Sequence, residues 1–220
     1  MTLSSSELQA AIHPLMDQLQ IEVSDETRRQ LADYAVTLWD WNEKLNLTRH
    51  TTPEQFVQRD VLDSWQLCQL VTEGEEILDF GTGGGVPGII MKILRPDLQM
   101  TLVESVAKKG KAVTEIAKTL RLDLEIGLGR AEAILEEERF DAVVARAVGP
   151  LKDLLRMLAD HWIEVGRLLA VKGPKWVDER HEAREAGWLR KLDLRKVAEY
   201  PMPGTESHSV ILQISPKREQ

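Results

Sequence analysis

Residues 79–88 read D-F-G-T-G-G-G-V-P-G, and this stretch decides the fold class. It continues a short apolar run that begins at Ile77 and is followed by a segment long enough for a helix. Glycines let the chain turn sharply and let a ligand approach the backbone closely. In open α/β sheets, ligands bind at the carboxyl ends of strands, where such turns lie. The stretch therefore predicts a ligand-binding loop after the first strand of an α/β sheet.

Short apolar runs continue downstream of this loop, separated by helix-length segments. Continuous apolar runs are typical of strands covered on both faces, and βα alternation predicts a parallel, doubly wound sheet. The last two runs are joined only by residues 201–207, and this short link favours an antiparallel final strand. The sequence predicts seven strands, at residues 77–80, 100–104, 124–126, 141–145, 167–171, 192–200 and 208–214.

Upstream of the sheet, the sequence is typical of helices. Apolar side chains recur at three- and four-residue steps over residues 8–19, which is the spacing of one helix face. A second helix is predicted to begin after the N-cap residue Ser24, and a third after Thr52, which a proline follows. We therefore expect an N-terminal helical extension over residues 1–76, packed on a sheet domain over residues 77–220.

The acidic charge of the chain is concentrated in the extension. The whole sequence has 28 basic and 36 acidic side chains and a net charge of −8. Residues 1–76 hold 5 basic and 14 acidic side chains, a balance of −9, which leaves +1 for the remainder. The sheet domain can therefore present a positive face despite the acidic total, so net charge does not exclude a nucleic-acid partner.

The cysteine content and the hydropathy pattern limit the class of protein. Cys68 is the single cysteine, which excludes an internal disulfide and a cysteine-based zinc site. No apolar run approaches the about 20 residues that span a bilayer, and the five histidines show no metal-ligand spacing. We therefore expect a cytoplasmic protein with no membrane span and no metal.

The glycine-rich loop admits more than one ligand. Gly83, Gly85 and Gly88 match the G-x-G-x-x-G spacing of dinucleotide sites, and Glu104 ends the second strand, where a carboxylate can bind ribose hydroxyls. Pro87, however, offers no N–H to a pyrophosphate, and the nearby acidic Asp79 favours a cationic ligand. S-adenosylmethionine has a ribose, no phosphate and a positive sulfonium, and it suits this loop better. A purely structural glycine turn is the remaining alternative.

Several ordered motifs together are similar to a known family. The order L-D-F-G-T-G-G-G-V-P-G, T-L-V-E-S, G-R-A-E, V-V-A-R-A and A-V-K-G resembles the Rossmann-like class I methyltransferase fold. With W-N-E-K-L-N-L-T at residues 41–48 and R-D-V-L-D-S at residues 59–64, it resembles the glucose-inhibited division protein B family. These bacterial enzymes methylate N7 of a guanine in 16S (small-subunit) ribosomal RNA. The resemblance extends from about Leu31 to Ile214.

The resemblance implies roles for individual residues at the cofactor site. Gly81 and Gly83 would lie under the methionine part of S-adenosylmethionine, near the acidic Asp79. Val86 would line the pocket, and Glu104 would bind the ribose. The remaining implied residues are Ala131 and Glu132, which would border the adenine, and Arg146, which would lie at the open side of the cofactor and position the substrate.

RNA contacts are expected from basic residues near the carboxyl ends of the strands, chiefly Arg49, Lys108, Lys109 and Lys172. Such contacts add affinity but little sequence selectivity. The sequence departs from the family pattern at four positions: Asp60, Val86, Lys109 and Ser207. The changes at Asp60 and Ser207 replace a histidine and an arginine, and so remove two possible phosphate donors. No segment has the pattern of an obligate interface, so we expect a monomer.

The absent motifs narrow the reaction. No Asn/Asp-Pro-Pro-aromatic motif follows the fourth strand to bind an exocyclic amine, and no Pro-Cys is present there to attack a pyrimidine. Guanine N7 needs neither, because its lone pair is already nucleophilic, so we predict positioning without a general base. The alternatives are a methyltransferase for another RNA or a small molecule, a non-catalytic ribosome-assembly factor, and an NAD-dependent oxidoreductase. The last lacks a Tyr-x-x-x-Lys pair for hydride transfer.

Overall fold

A computed structural model describes residues 3–217, and their seven strands form one mixed sheet. The strands are β1 (Glu76–Phe80), β2 (Gln99–Glu104), β3 (Glu125–Leu128), β4 (Phe140–Arg146), β5 (Val165–Lys172), β6 (Leu192–Pro201) and β7 (His208–Pro216). Their order is β3-β2-β1-β4-β5-β7-β6. The first five pair in parallel, and β7 lies antiparallel between β5 and β6. The predicted fold and its antiparallel final strand are confirmed.

Four helical segments precede the sheet: α1 (Ser5–Gln18), α2 (Asp25–Asn42), α3 (Pro53–Gln55) and α4 (Leu62–Cys68). The predicted caps are present, because the side chains of Ser24 and Thr52 accept hydrogen bonds from backbone N–H groups in the first turns. The third predicted helix is not regular. A π-helical turn, Phe56–Val61, separates α3 from α4 and directs Asp60 into the protein interior. Such turns occur often at functional sites.

Five helices alternate with the strands: α5 (Gly88–Leu94), α6 (Ala107–Thr119), α7 (Ala131–Leu135), α8 (Leu151–Met157) and α9 (Trp176–Glu185). Each lies in a crossover, as the βα alternation predicts. Within residues 3–217, none of the helices combines the length and apolar character that crossing a bilayer requires.

Successive residues of each central strand face opposite sides of the sheet, and both sides are buried. Leu78 and Val143 belong to one apolar cluster, whereas Ile77 and Val144 belong to the other. The second cluster also contains buried side chains of the extension, among them Phe56. The helical extension and one face of the sheet therefore share a single core, which holds the extension against that face.

Candidate functional site

The carboxyl edge of the parallel strands carries two adjoining concave regions. The smaller pocket, of about 400 Å³, is bordered by residues that follow β1, β2 and β3. The larger cleft, of about 980 Å³, lies between the sheet edge and residues 46–63 of the extension. The segment after β4 separates them, because Val148 lines the pocket while its neighbours Ala147 and Gly149 line the cleft. The two regions therefore share this segment as a common border.

The Asp79 side chain stabilises the glycine-rich loop through hydrogen bonds. Its side chain is fully buried, and Oδ2 accepts hydrogen bonds from the Thr82 hydroxyl at 2.5 Å and from the Gly88 N–H at 2.9 Å. Burial raises the pKa of the Asp79 carboxyl to about 6. Gly88 is required at the helix start, since a Cβ there would lie 2.6 Å from Asp79 Oδ2. The structure thus places Asp79 under the loop, with its bonded oxygen directed at protein groups.

Glu104 joins the second strand to the loop. Its Oε2 accepts a hydrogen bond from the Gly83 N–H at 3.0 Å, and Oε1 accepts one from the Val106 N–H at 2.7 Å. Each carboxylate oxygen keeps a second lone pair that a ribose hydroxyl could use. Gly81 and Gly83 have φ values of +73° and +62°, a backbone region that favours glycine. A Cβ on Gly83 would meet no atom within 4 Å, so this face of the loop is open to a ligand.

The predicted adenine residues border the smaller pocket. Ala131 and Glu132 begin α7 there, opposite the apolar side chains of Val103, Val148 and Met157. Val148 and Met157 were not predicted to line this pocket, because nothing in the sequence pattern around α8 marks it as a pocket wall. Val86 is buried in the core and belongs to the lining of neither region.

Arg146, at the end of β4, forms the centre of a buried polar cluster in the cleft wall. Its Nη2 lies 2.5 Å from Asp60 Oδ1, and its Nη1 lies 3.1 Å from Asp63 Oδ2 and 3.3 Å from the carbonyl oxygen of Arg59. Burial by itself would lower the pKa of Arg146, but the Asp60 and Asp63 carboxylates raise it above its ordinary value. Two carboxylates of the extension therefore hold the guanidinium in place.

Two further side chains complete this cluster. The Tyr200 hydroxyl donates to Asp63 Oδ1 at 2.8 Å, and His50 Nδ1 lies 2.6 Å from Asp60 Oδ1. Burial raises the pKa of the Asp63 carboxyl, although Arg146 opposes this effect. Asp60, Asp63 and Ser64 lie three and four residues apart, as on one helix face, and this spacing was the available sequence signal for the cluster. Position 60 is fully buried, so the departure there does not remove a phosphate contact.

The predicted RNA-binding residues differ in their surroundings. Arg49 and Lys109 line the cleft, and neither makes an ion pair within residues 3–217. Lys108 is exposed outside both linings. Lys172 is buried in the cleft wall, where its Nζ lies 2.6 Å from the Gly149 carbonyl oxygen and 2.8 Å from Glu179.

Arg59 is a cleft residue that was not predicted from the sequence. The residue lines the larger cleft, and its guanidinium has no ion-pair partner in the described part of the chain. Its location in a predicted regular helix hid its position at the cleft. Ser207, the fourth departure from the family pattern, lies in the β6–β7 turn, two residues before the cleft residue Ser209.

Solved structures share this fold. An O-methyltransferase from Bacillus cereus, solved in complex with SAH, aligns with a TM-score of 0.59 and 12% sequence identity and covers 94% of this chain and 97% of its own. An O-methyltransferase described as putative, from Klebsiella pneumoniae, aligns with a TM-score of 0.57 and 17% identity, over 97% of this chain and 99% of that chain. At these identities the likeness shows the fold alone.

Sequence comparison is more specific. A family profile described as "GidB: rRNA small subunit methyltransferase G" matches residues 27–206. The "Ribosomal RNA small subunit methyltransferase G" of Rhodopirellula baltica is 46% identical over 195 residues, which are 89% of this chain and 84% of that protein. The protein of the same description from Desulfotalea psychrophila is 36% identical over 200 residues, 88% of this chain and 92% of its own. The chain therefore belongs to the GidB family of rRNA small subunit methyltransferase G.

Proposed function

We propose that the protein transfers a methyl group from S-adenosylmethionine to N7 of a guanine in 16S (small-subunit) ribosomal RNA. The main support for the proposal is that the smaller pocket and the larger cleft adjoin at one edge of the sheet and have different linings, in a chain that belongs to this family. The lining of the smaller pocket includes apolar side chains and the residues Val103 and Ser105, which flank Glu104 in the chain, and the larger cleft is lined by basic side chains. A cofactor and an RNA base can therefore meet beside the segment after β4.

The residues that line the smaller pocket, together with Gly83 and Glu104 beside it in the chain, fit S-adenosylmethionine. The open face of Gly83 leaves room for the methionine part, and Glu104 offers hydrogen-bond acceptors to the ribose. Ala131 and Glu132 would border the adenine, with Met157 on the opposite wall. Asp79 and Val86 would act through the loop, since both are buried beneath it. When bound, this cofactor supplies an electrophilic methyl group on a positively charged sulfur.

The transfer needs no proton removal. The N7 lone pair of guanine forms the new bond to the methyl carbon, the electrons of the broken C–S bond stay on sulfur, and the positive charge passes to the guanine ring. The protein must therefore hold N7 in line with the methyl group at about 3–3.5 Å. Arg146 would position the base from the cleft wall, because its guanidinium is held by the Asp60 and Asp63 carboxylates.

The buried cluster also suits the charge that develops on the base. Arg146 contributes one positive charge, and Asp60 and Asp63 contribute two negative charges when ionised. The cluster is then net negative on the substrate side of the site. Negative charge there favours the cationic purine more than the neutral one, and only such a difference accelerates the chemical step.

RNA backbone binding would come from Arg49, Arg59 and Lys109, whose charges face the cleft. Lys108 would reach phosphates only outside it, and Lys172 would support the cleft wall through Glu179. Within this proposal, residues 1–76 form a helical extension that supplies half of the RNA site, and residues 77–220 form the methyltransferase domain. The substrate places the protein in the cytoplasm, where it would act as a monomer without a metal ion.

Methyl transfer from labelled S-adenosylmethionine to small ribosomal subunits that lack N7-methylguanine tests the proposal. Free ribosomal RNA and transfer RNA serve as comparison substrates, and chemical cleavage at N7-methylguanine maps the product. Label at one guanine of the small-subunit RNA is the expected result. Label at another atom or in another RNA would contradict the proposed target, N7 of a guanine in 16S ribosomal RNA. Intact cofactor binding without any label would favour a non-catalytic ribosome-assembly factor.

A further inference from the structure

His50 is held rigidly at the mouth of the larger cleft. The residue lies in the loop between α2 and α3, and its side chain is 27% exposed and lines the cleft. The Trp39 indole N–H donates to the His50 carbonyl oxygen at 2.8 Å, and the His50 N–H donates to the Thr48 hydroxyl at 3.0 Å. The backbone N–H and C=O of His50 are therefore both hydrogen-bonded, although the residue lies in a loop.

Asp60 determines which ring nitrogen of His50 is available. Nδ1 lies 2.6 Å from Asp60 Oδ1, and this oxygen also lies 2.5 Å from Arg146. A carboxylate bonded to a guanidinium is an acceptor, so Nδ1 carries the hydrogen of the neutral ring. Nε2 then has a free lone pair. No hydrogen bond within residues 3–217 uses Nε2, and it is not among the buried polar atoms that lack a partner.

The cleft offers many donors and few free acceptors. Arg49, Arg59 and Lys109 can only donate hydrogen bonds. Of the carboxylates in the lining, Asp63 already accepts from Tyr200 and Arg146. The other, Glu179, accepts from the Leu151 N–H and pairs with Lys172. Among the titratable side chains of the lining, His50 Nε2 is therefore an oriented acceptor that no hydrogen bond within residues 3–217 uses.

Guanine has the complementary chemistry. Its N7 and O6 atoms are acceptors, whereas its opposite edge carries the N1–H and the exocyclic amino group as donors. We propose that His50 contacts the substrate, with Nε2 accepting a hydrogen bond from the N1–H of the target guanine while Asp60 positions the ring. This inference rests on the proposed function. Methylation at N7 makes the purine cationic and its N1–H a stronger donor, so the contact strengthens as the methyl group moves.

The test compares two substitutions at one position. In His50→Asn, the amide nitrogen can take the place of Nδ1 and keep the bond to Asp60, but nothing replaces Nε2. In His50→Gln, the longer side chain can present its amide oxygen near the Nε2 position. We expect His50→Asn to lower the single-turnover rate on small subunits about 10- to 100-fold, with unchanged cofactor affinity and unfolding midpoint. His50→Gln should recover part of that loss.

A substrate change gives a second measurement that does not depend on how a variant folds. Subunits reconstituted with 1-methylguanosine at the mapped target lack the N1–H. On these subunits, the wild-type enzyme should lose at least as much of its rate as His50→Asn loses on unmodified subunits. His50→Asn acting on the modified subunits should be little slower than the wild-type enzyme on the same subunits. A wild-type rate in His50→Asn, or fully additive losses, would overturn the role of His50. A wild-type enzyme that methylates no guanine would instead overturn the proposed function.

Discussion

The two halves of the site are built in different ways. On the proposed cofactor side, a hydrogen bond joins Gly83 to Glu104, which are 21 residues apart in adjacent βα units. On the substrate side, Arg146 is joined to Asp60 across 86 residues, and Tyr200 to Asp63 across 137. The cofactor side is thus a local motif, whereas the substrate side exists only after the extension has packed on the sheet. Substitutions on the two sides should therefore have separable effects.

Removal of Arg146 should have the largest effect. Arg146→Ala leaves Asp60 and Asp63 buried without their cation, and breaking a buried pair costs about 3–5 kcal/mol in the free energy of unfolding. Urea unfolding measures this loss, and methylation of small subunits should fall with it. The triple variant Arg146→Ala, Asp60→Asn, Asp63→Asn should recover part of the stability and none of the activity. An unchanged unfolding midpoint in Arg146→Ala would contradict the claim that the buried cluster stabilises the fold.

Asp79 should make stability depend on pH on the cofactor side. Burial raises the pKa of its carboxyl from 3.8 to about 6, so the unfolded chain loses the proton first as pH rises. Its contribution is favourable below about pH 4 and is lost as pH rises through about 6. Asp79→Asn cannot titrate, and its free energy of unfolding relative to wild type should rise by about 2 kcal/mol between pH 4 and pH 7. Denaturant titrations across this range test the slope, and a constant difference would refute it.

Loss of the Glu104 charge should weaken cofactor binding without changing RNA binding. In Glu104→Gln, the acceptors for the Gly83 and Val106 N–H groups and for a ribose are weakened, so S-adenosylmethionine should bind about 10- to 100-fold more weakly. RNA affinity should not change. Calorimetry measures the first and filter binding the second. Glu125→Gln, exposed on the neighbouring strand, is the matched control. Equal cofactor affinity in both variants would remove Glu104 from the cofactor site.

Arg49 should have the smallest effect, and only on the substrate side. Arg49→Ala removes one cleft cation, so RNA affinity should fall several-fold and the slope of log K against log salt should lessen by about 1. Cofactor affinity should stay the same. Lys118→Ala, which removes an exposed lysine paired with Glu115, should leave the slope unchanged. A slope equal to that of wild type in Arg49→Ala would argue against a phosphate contact there.

The two sides also differ in how far they could be predicted. The spacing of Gly83 and Glu104 is visible in the sequence, because each lies at the end of a predicted strand and parallel strands end at one edge. Asp60 was predicted within a regular helix, and the π-helical turn that directs it inward leaves no mark in the apolar spacing. Arg59 and Met157 were not predicted as lining residues, because their positions depend on how two elements of the fold pack together.

Seven strands, an antiparallel last strand and a glycine loop with its carboxylate could all be predicted from the residues alone. These features follow from short-range periodicity and from backbone conformations that a few residue types allow. Three properties became visible in the folded chain: Lys172 is paired, Asp60 is buried and His50 faces the cleft. Those properties depend on long-range packing of the extension against the strand ends, which no local spacing encodes.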